Sequence, residues 1–141
     1  MISKIDHIAI AVKDLEGALE NFRTILGSPE QPIHTEEVPS ENVRIAFIPI
    51  GETTIELLQP LSPTGAIANF LEKNGDGLHH IAIETDNIEA EHLRLTELGK
   101  TPLSPPKEGG NGKTIMFLHP KTTNRVLLEF THHPLQPPTT T

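Results

Sequence analysis

The chain has 141 residues, a formal net charge of −8 and no cysteine. This length is enough for one compact domain with a sizeable core. The negative charge argues against a nucleic-acid surface, and the lack of cysteine excludes disulfides, thiol catalysis and cysteine-based zinc sites. No apolar stretch has membrane-spanning length and no signal-peptide pattern is present, so we expect a cytoplasmic protein.

Taken in chain order, the first 60 residues predict a βαβββ module. Four segments have the composition of strands: residues 5–12, 33–38, 43–50 and 53–59. Between the first two, Asp14 is placed to cap a helix whose apolar side chains recur at helical spacing until Gly27. The last two strands are joined by a predicted hairpin turn at Gly51-Glu52.

A connector at about residues 61–77 leads to a second module at about residues 78–131. The connector contains a short amphipathic helix that ends near Gly75. The second module predicts a strand from Leu78, a helix at about residues 87–98, and further strands at residues 101–103, 114–118 and 126–131. Residues 104–112 are rich in proline and glycine and predict a mobile loop, and residues 132–141 predict a disordered tail outside the single domain of residues 1–131.

The two modules repeat each other. His7 recurs as His80 within matching apolar runs, at an offset of 80 − 7 = 73, and Glu56 recurs as Glu129, at 129 − 56 = 73. A third match is offset differently, because Phe47 aligns with Phe117 at 117 − 47 = 70. Gaps between these anchor points are expected in a duplication that has diverged.

The repeat predicts a metal site on a pseudo-twofold axis, with His7, Glu56, His80 and Glu129 as ligands. Two imidazoles and two carboxylates suit a divalent first-row ion that keeps open positions for water or substrate. Because side chains alternate along a strand, both glutamates should face away from their apolar neighbours, and their burial needs a partner. A strand glutamate is ordinarily solvated, but that interpretation does not explain the shared offset.

The other histidines have weaker claims on this site. His79 is expected on the opposite face from His80, in a structural or supporting role, and His92 is expected half-buried on its helix. His119 precedes Pro120 and Lys121 in a turn and is a candidate for the rim of the site. His132 and His133 fall in the predicted tail, where we expect them to be solvated.

Four stretches of the sequence resemble the vicinal oxygen chelate (glyoxalase/bleomycin resistance) superfamily. They are residues 6–12, 55–61, 77–82 and 117–121. The Glu-Leu-Leu-Gln-Pro-Leu segment, with Gly-Leu-His-His and Phe-Leu-His-Pro-Lys, is more specific and resembles the methylmalonyl-CoA epimerase family within the superfamily. The resemblance covers residues 2–131.

Together, the repeat and the resemblance predict an α+β fold. Two paired βαβββ modules would form a curved, partly open mixed sheet around the metal site. The resemblance implies a coenzyme A thioester substrate and a divalent metal, with cobalt as the ion associated with the family and zinc, manganese, nickel or magnesium as alternatives. We expect a homodimer, because open sheets leave edges to cover, and no nucleic-acid or membrane partner.

The implied activity is the interconversion of (R)- and (S)-methylmalonyl-CoA by α-proton abstraction through a metal-stabilised enolate. Some relatives place a glutamate base where this chain has Ile45, which cannot carry a proton. We therefore expect Glu129 and Glu56 to be the catalytic carboxylates, with Glu129 favoured as one base. Lys121 and Lys113 are candidates for binding the coenzyme A phosphates or the substrate carboxylate.

Three other functions fit the same fold. A glyoxalase I-type lactoylglutathione lyase would use an equally good ligand set, but such enzymes resemble Asp-Pro-Asp-Gly where this chain has His119-Pro120-Lys121. An extradiol dioxygenase would need two histidines and only one carboxylate. A non-catalytic binding protein of this fold usually lacks the metal ligands.

This chain also has Asn124-Arg125 where the epimerase family usually has two glycines.

Overall fold

The computed structural model describes residues 1–27, 32–109 and 112–134. The elements are β1 (Ile2–Ala11), α1 (Leu15–Ile25), β2 (His34–Val38), β3 (Val43–Ile50), β4 (Thr53–Pro60), α2 (Ala66–Asn74), β5 (Gly77–Thr85), α3 (Ile88–Glu97), β6 (Lys107–Glu108), β7 (Thr114–Leu118) and β8 (Leu128–His132). The predicted α+β class is therefore confirmed. Contacts divide the chain into one unit of residues 6–81 and another of residues 1–5 with the described residues from 82 onward. No helix in the described ranges is long and apolar enough to cross a membrane.

The unit of residues 6–81 contains strands in the order β2-β3-β4-β1-β5, with its own parts of β1 and β5. β3 pairs antiparallel with β2 and β4, whereas β4 pairs parallel with β1, so the sheet is mixed as predicted. The β3–β4 hairpin turns at the predicted Gly51-Glu52. Gly51 has a φ of 59°, a left-handed conformation that glycine adopts without a steric penalty.

The two faces of this sheet are covered by different helices. On one face, Leu15 and Leu19 of α1 pack with Ala46 and Leu57. On the other, Ile67 and Leu71 of α2 pack on the apolar residues Ala9, Ala11, Val43, Ile45 and Leu58. The predicted cap of α1 is confirmed, because the Asp14 side chain accepts a hydrogen bond from the Gly17 amide at 3.2 Å.

The second unit combines an antiparallel sheet with α3. β7 pairs antiparallel with β6 and β8, and α3 begins after Asn87, whose side chain accepts from the Ala90 amide at 3.0 Å. Residues of α3, β7 and β8 form its apolar core: Ile88, Leu95, Met116, Leu118 and Phe130.

The Met1 ammonium donates to Asp86, and this hydrogen bond raises the pKa of the ammonium and lowers the pKa of the carboxyl.

Four expectations for the second half are corrected. Residues 101–103 form no strand; the Leu103 amide donates one backbone hydrogen bond to Phe117 at 2.9 Å, which is too little for a ladder. A two-residue strand, β6, lies instead within the predicted loop of residues 104–112. β8 begins at Leu128, because Asn124 and Arg125 turn with positive φ before it. His132 belongs to β8 and donates from Nδ1 to the Thr85 carbonyl at 2.9 Å, so it is not a tail residue; residues 135–141 lie outside the described residues.

Candidate metal centre

His7 and His80 meet through their Nε2 atoms. His7 lies on β1 and His80 on β5, and these strands are neighbours in the hydrogen-bonded order. The two side chains are buried, with 1% and 8% of each residue exposed, and their Nε2 atoms are 3.2 Å apart. The rings meet edge to face, with centroids 5.2 Å apart. The repeat therefore correctly predicted that these two imidazoles share one place.

The Nε2 separation fits two ligands of one divalent ion. Nitrogen ligands bind zinc at about 2.0–2.1 Å, so two of them subtending 90–109° at the ion are about 2.8–3.4 Å apart. The separation of 3.2 Å between His7 and His80 lies within that range. Two facing lone pairs at this distance would repel each other without a cation or a shared proton. The two histidines therefore fit the ion that the sequence predicted.

Glu56 reaches the same cluster from β4. It is 6% exposed, and its Oε2 lies 3.2 Å from Nδ1 of His7. The parallel pairing of β1 with β4 places Ala9 beside Glu56, which brings the carboxylate onto the face that carries His7. Asp6 lies on the same nitrogen, with Oδ2 at 2.7 Å from Nδ1 of His7. Ligand atoms of Asp6, His7 and Glu56 all lie within 4.8 Å of one another.

Glu129 is placed in the second unit. It lies on β8, is 3% exposed, and is the register partner of Phe117 on β7. Its neighbour Phe130 turns into the apolar core of that unit, as the predicted alternation requires. In the other unit Glu56 is the register partner of Phe47, so the two glutamates occupy equivalent positions.

Ile45 lies in the unit of residues 6–81 and has no ionisable group, whereas the other predicted residues lie in the second unit. Ile45 is 7% exposed and packs in the apolar cluster under α2. Lys121 is exposed in the connection between β7 and β8, where its amide donates to Nδ1 of His119 at 3.0 Å. Lys113 is half-buried just before β7, and its carbonyl accepts from Gly109 at 3.0 Å. All three of His119, Lys113 and Lys121 belong to the second unit.

Two further residues contact the histidine pair. Sequence reasoning assigns no role to Asp6, and it predicts a structural or supporting role for His79 on the face opposite His80. In the structure Nδ1 of His79 lies 2.8 Å from Nδ1 of His80. The repeat held the missing signal, because 79 − 6 = 73 makes Asp6 and His79 equivalent residues.

Comparison with protein families gives a match over most of the chain. Residues 6–117 match the family model described as the glyoxalase/bleomycin resistance protein/dioxygenase superfamily. This match includes His7, Glu56 and His80.

Several named relatives cover nearly the whole chain. The ethylmalonyl-CoA/methylmalonyl-CoA epimerase of Cereibacter sphaeroides is 44% identical over 132 residues, which are 92% of this chain and 97% of that protein. The human mitochondrial methylmalonyl-CoA epimerase is 42% identical over 91% of this chain and 73% of its own length. A solved methylmalonyl-CoA epimerase in complex with methylmalonyl-CoA and NH4+ is 34% identical, with a TM-score of 0.85, and the match covers 94% of this chain and 95% of that one.

Proposed function

We propose that this chain, which belongs to the methylmalonyl-CoA epimerases of the glyoxalase/bleomycin resistance protein/dioxygenase superfamily, interconverts (R)- and (S)-methylmalonyl-CoA at a divalent metal centre. It is an isomerase of the epimerase type. Relatives at 42–44% identity carry this activity in their names, and a solved relative binds methylmalonyl-CoA.

The observation that supports the metal centre most directly is the buried pair of imidazoles. His7 and His80 are separated by 3.2 Å between Nε2 atoms, in a setting that also holds the Glu56 carboxylate. Burying this many polar groups together is costly unless they bind a partner. We propose His7, Glu56, His80 and Glu129 as the ligands, and cobalt as the ion.

The ion would act as a Lewis acid toward the negative charge that develops on the thioester oxygen. The protein must then remove the α-proton on one face and return a proton on the other. Glu129 and Glu56 are carboxylates in equivalent strand positions, so each can serve one face of the α-carbon. We propose Glu129 as the principal base, because Ile45 offers no ionisable group.

Binding of coenzyme A needs local cations, because the whole chain is negatively charged. Lys121 is exposed and Lys113 is half-buried, and both lie near the ends of β7. We propose that their ammonium groups bind phosphates of the substrate. Replacing either lysine with methionine should raise the KM for methylmalonyl-CoA and weaken its dependence on salt, with little change in kcat. Lys100→Met is the matched control on an exposed lysine after α3.

We further propose a homodimer in the cytoplasm. Apolar side chains remain exposed on β1, including Ile2 and Ile5 at 44% each. A second copy of the chain would cover such a surface. Sedimentation of the metal-loaded protein measures the assembly state, and a monomer at every concentration would contradict the dimer.

The activity is tested by supplying one epimer of methylmalonyl-CoA and following the appearance of the other. Ethylmalonyl-CoA is the comparison substrate for acyl-chain choice, and the hemithioacetal of glutathione and methylglyoxal is the comparison for a lyase. We expect epimerisation of the malonyl thioesters and no lyase activity. A protein that converts only the hemithioacetal would contradict the proposal.

The matched controls separate chemistry from folding. His7→Ala and His80→Ala should abolish turnover. His92→Ala, at a half-buried position on α3, should retain it. Thermal unfolding of each variant in the presence of a chelator reports whether the fold has survived.

A further inference from the structure

We propose that Asp6 and His79 are a matched pair of positioning residues, which fix the two histidine ligands in the tautomer that a metal ion requires. Each immediately precedes one of the histidines, and the two are equivalent in the repeat. Each contacts Nδ1 of its neighbour: Asp6 at 2.7 Å from His7, and His79 at 2.8 Å from His80. This inference rests on the proposed metal centre.

The tautomer of His7 follows from its hydrogen bond to Asp6, whose carboxylate oxygen lies 2.7 Å from Nδ1. An ionised carboxylate can only accept a hydrogen bond, so Nδ1 of His7 must carry the proton. A neutral imidazole protonated at Nδ1 has its lone pair on Nε2, the atom that faces His80. Asp6 therefore holds His7 in the tautomer that can bind a metal ion through Nε2.

His79 occupies the equivalent position before His80, but its imidazole can either donate or accept a hydrogen bond. Its Nδ1 and that of His80 are 2.8 Å apart, so one of the two donates and the other accepts. If His79 donates, neutral His80 carries its own proton on Nε2 and cannot bind an ion there. If His80 donates, its Nε2 holds a lone pair, as does Nε2 of His7. Only this second arrangement gives two ligands 3.2 Å apart.

The change between the two arrangements conserves protons. The Nδ1 proton of His79 passes to Nδ1 of His80, the Nε2 proton of His80 goes to water, and water returns a proton to Nε2 of His79. Every imidazole stays neutral. Phe70 of α2 packs against the His79 ring edge to face, with centroids 5.2 Å apart, and so holds the ring in the position where its Nδ1 can accept.

Zinc alone is the probe, because it is diamagnetic and binds the same ligand types. In zinc-loaded wild-type protein, nitrogen-15 NMR of the imidazoles should show His7 and His80 both protonated at Nδ1. Competition with a chelator measures zinc affinity. His79→Phe removes the acceptor and should weaken zinc binding about 10–100-fold, whereas His79→Gln, whose amide oxygen accepts, should recover most of that loss. Asp6→Ala should weaken binding to a similar extent, and His92→Phe is the matched control.

The outcomes separate this inference from the proposed function. If His7→Ala and His80→Ala lose zinc while His79→Phe and Asp6→Ala keep wild-type affinity, the metal centre stands and the inference is overturned. If His7→Ala and His80→Ala bind zinc as tightly as wild type, the metal centre itself fails, and the inference with it. If a variant fails to fold, the nitrogen-15 spectrum of the zinc-loaded wild-type protein still tests the inference. A proton on Nε2 of His80 in that spectrum would overturn the inference but not the metal centre.

Discussion

Glu129 lies opposite Phe117 in the pairing of β7 with β8. The same relationship joins Glu56 to Phe47 in the pairing of β3 with β4. The phenylalanines are offset by 70 residues and the glutamates by 73, yet each pair has the same strand register. The difference of three residues lies in the connection between β7 and β8, which is longer than the one between β3 and β4. A duplication that kept this register through a change of loop length has kept the position of its carboxylates.

The role of Glu129 predicts a specific kinetic defect. Glu129→Gln keeps an oxygen that can bind a metal but removes the base, so kcat should fall about 10²–10⁴-fold. Metal affinity should fall much less. Steady-state kinetics with metal analysis measures both, and Glu89→Gln on the exposed surface of α3 is the control. A Glu129→Gln enzyme with wild-type kcat would show that Glu129 is only a ligand.

Ile45→Glu tests the position where some relatives place a glutamate. The structure argues against tolerance, because Ile45 is 7% exposed and packs with Leu58 and Ile67. A carboxylate without a partner there should lower the free energy of unfolding by about 1–3 kcal/mol. Denaturant titration measures it, with Ile45→Leu as the volume-conserving control; an unchanged midpoint for Ile45→Glu would contradict the prediction.

The connection before β8 offers a gain in stability. Arg125 has a φ of 73°, a left-handed conformation that costs a side-chain-bearing residue about 1–2 kcal/mol. Glycine avoids that penalty but gains entropy when unfolded, so Arg125→Gly should raise the free energy of unfolding by about 0.5–1 kcal/mol. Arg125→Ala keeps the strain and should show no such gain. A destabilised Arg125→Gly protein would mean that the arginine side chain makes a stronger interaction than the strain it bears.

Sequence reasoning succeeded wherever a pattern was repeated or long. The offset of 73 placed His7 with His80, and the strand alternation correctly buried both glutamates. It failed at β6, because a two-residue strand has no periodicity to detect. Alternation places the adjacent side chains of His79 and His80 on opposite faces, but it does not predict that their ring edges meet at Nδ1.

Subunit mixing tests whether one chain builds the histidine pair. Because His7 and His80 of the same chain meet at 3.2 Å, a mixture of inactive His7→Ala and His80→Ala chains should recover no activity. The mixture must be unfolded and refolded together so that exchange of subunits is complete. Recovery of a quarter or more of the wild-type rate would show that the two histidines of one site come from different chains.

The most direct measurement is deuterium incorporation at the α-carbon of methylmalonyl-CoA in heavy water, followed by NMR as a divalent ion is titrated into chelator-treated protein. The account predicts that exchange rises linearly and saturates at one ion per chain, and that His7→Ala and His80→Ala show none at the same ion concentration. Rapid exchange in the chelator-treated protein, unchanged by added ion, would contradict a metal-dependent epimerase.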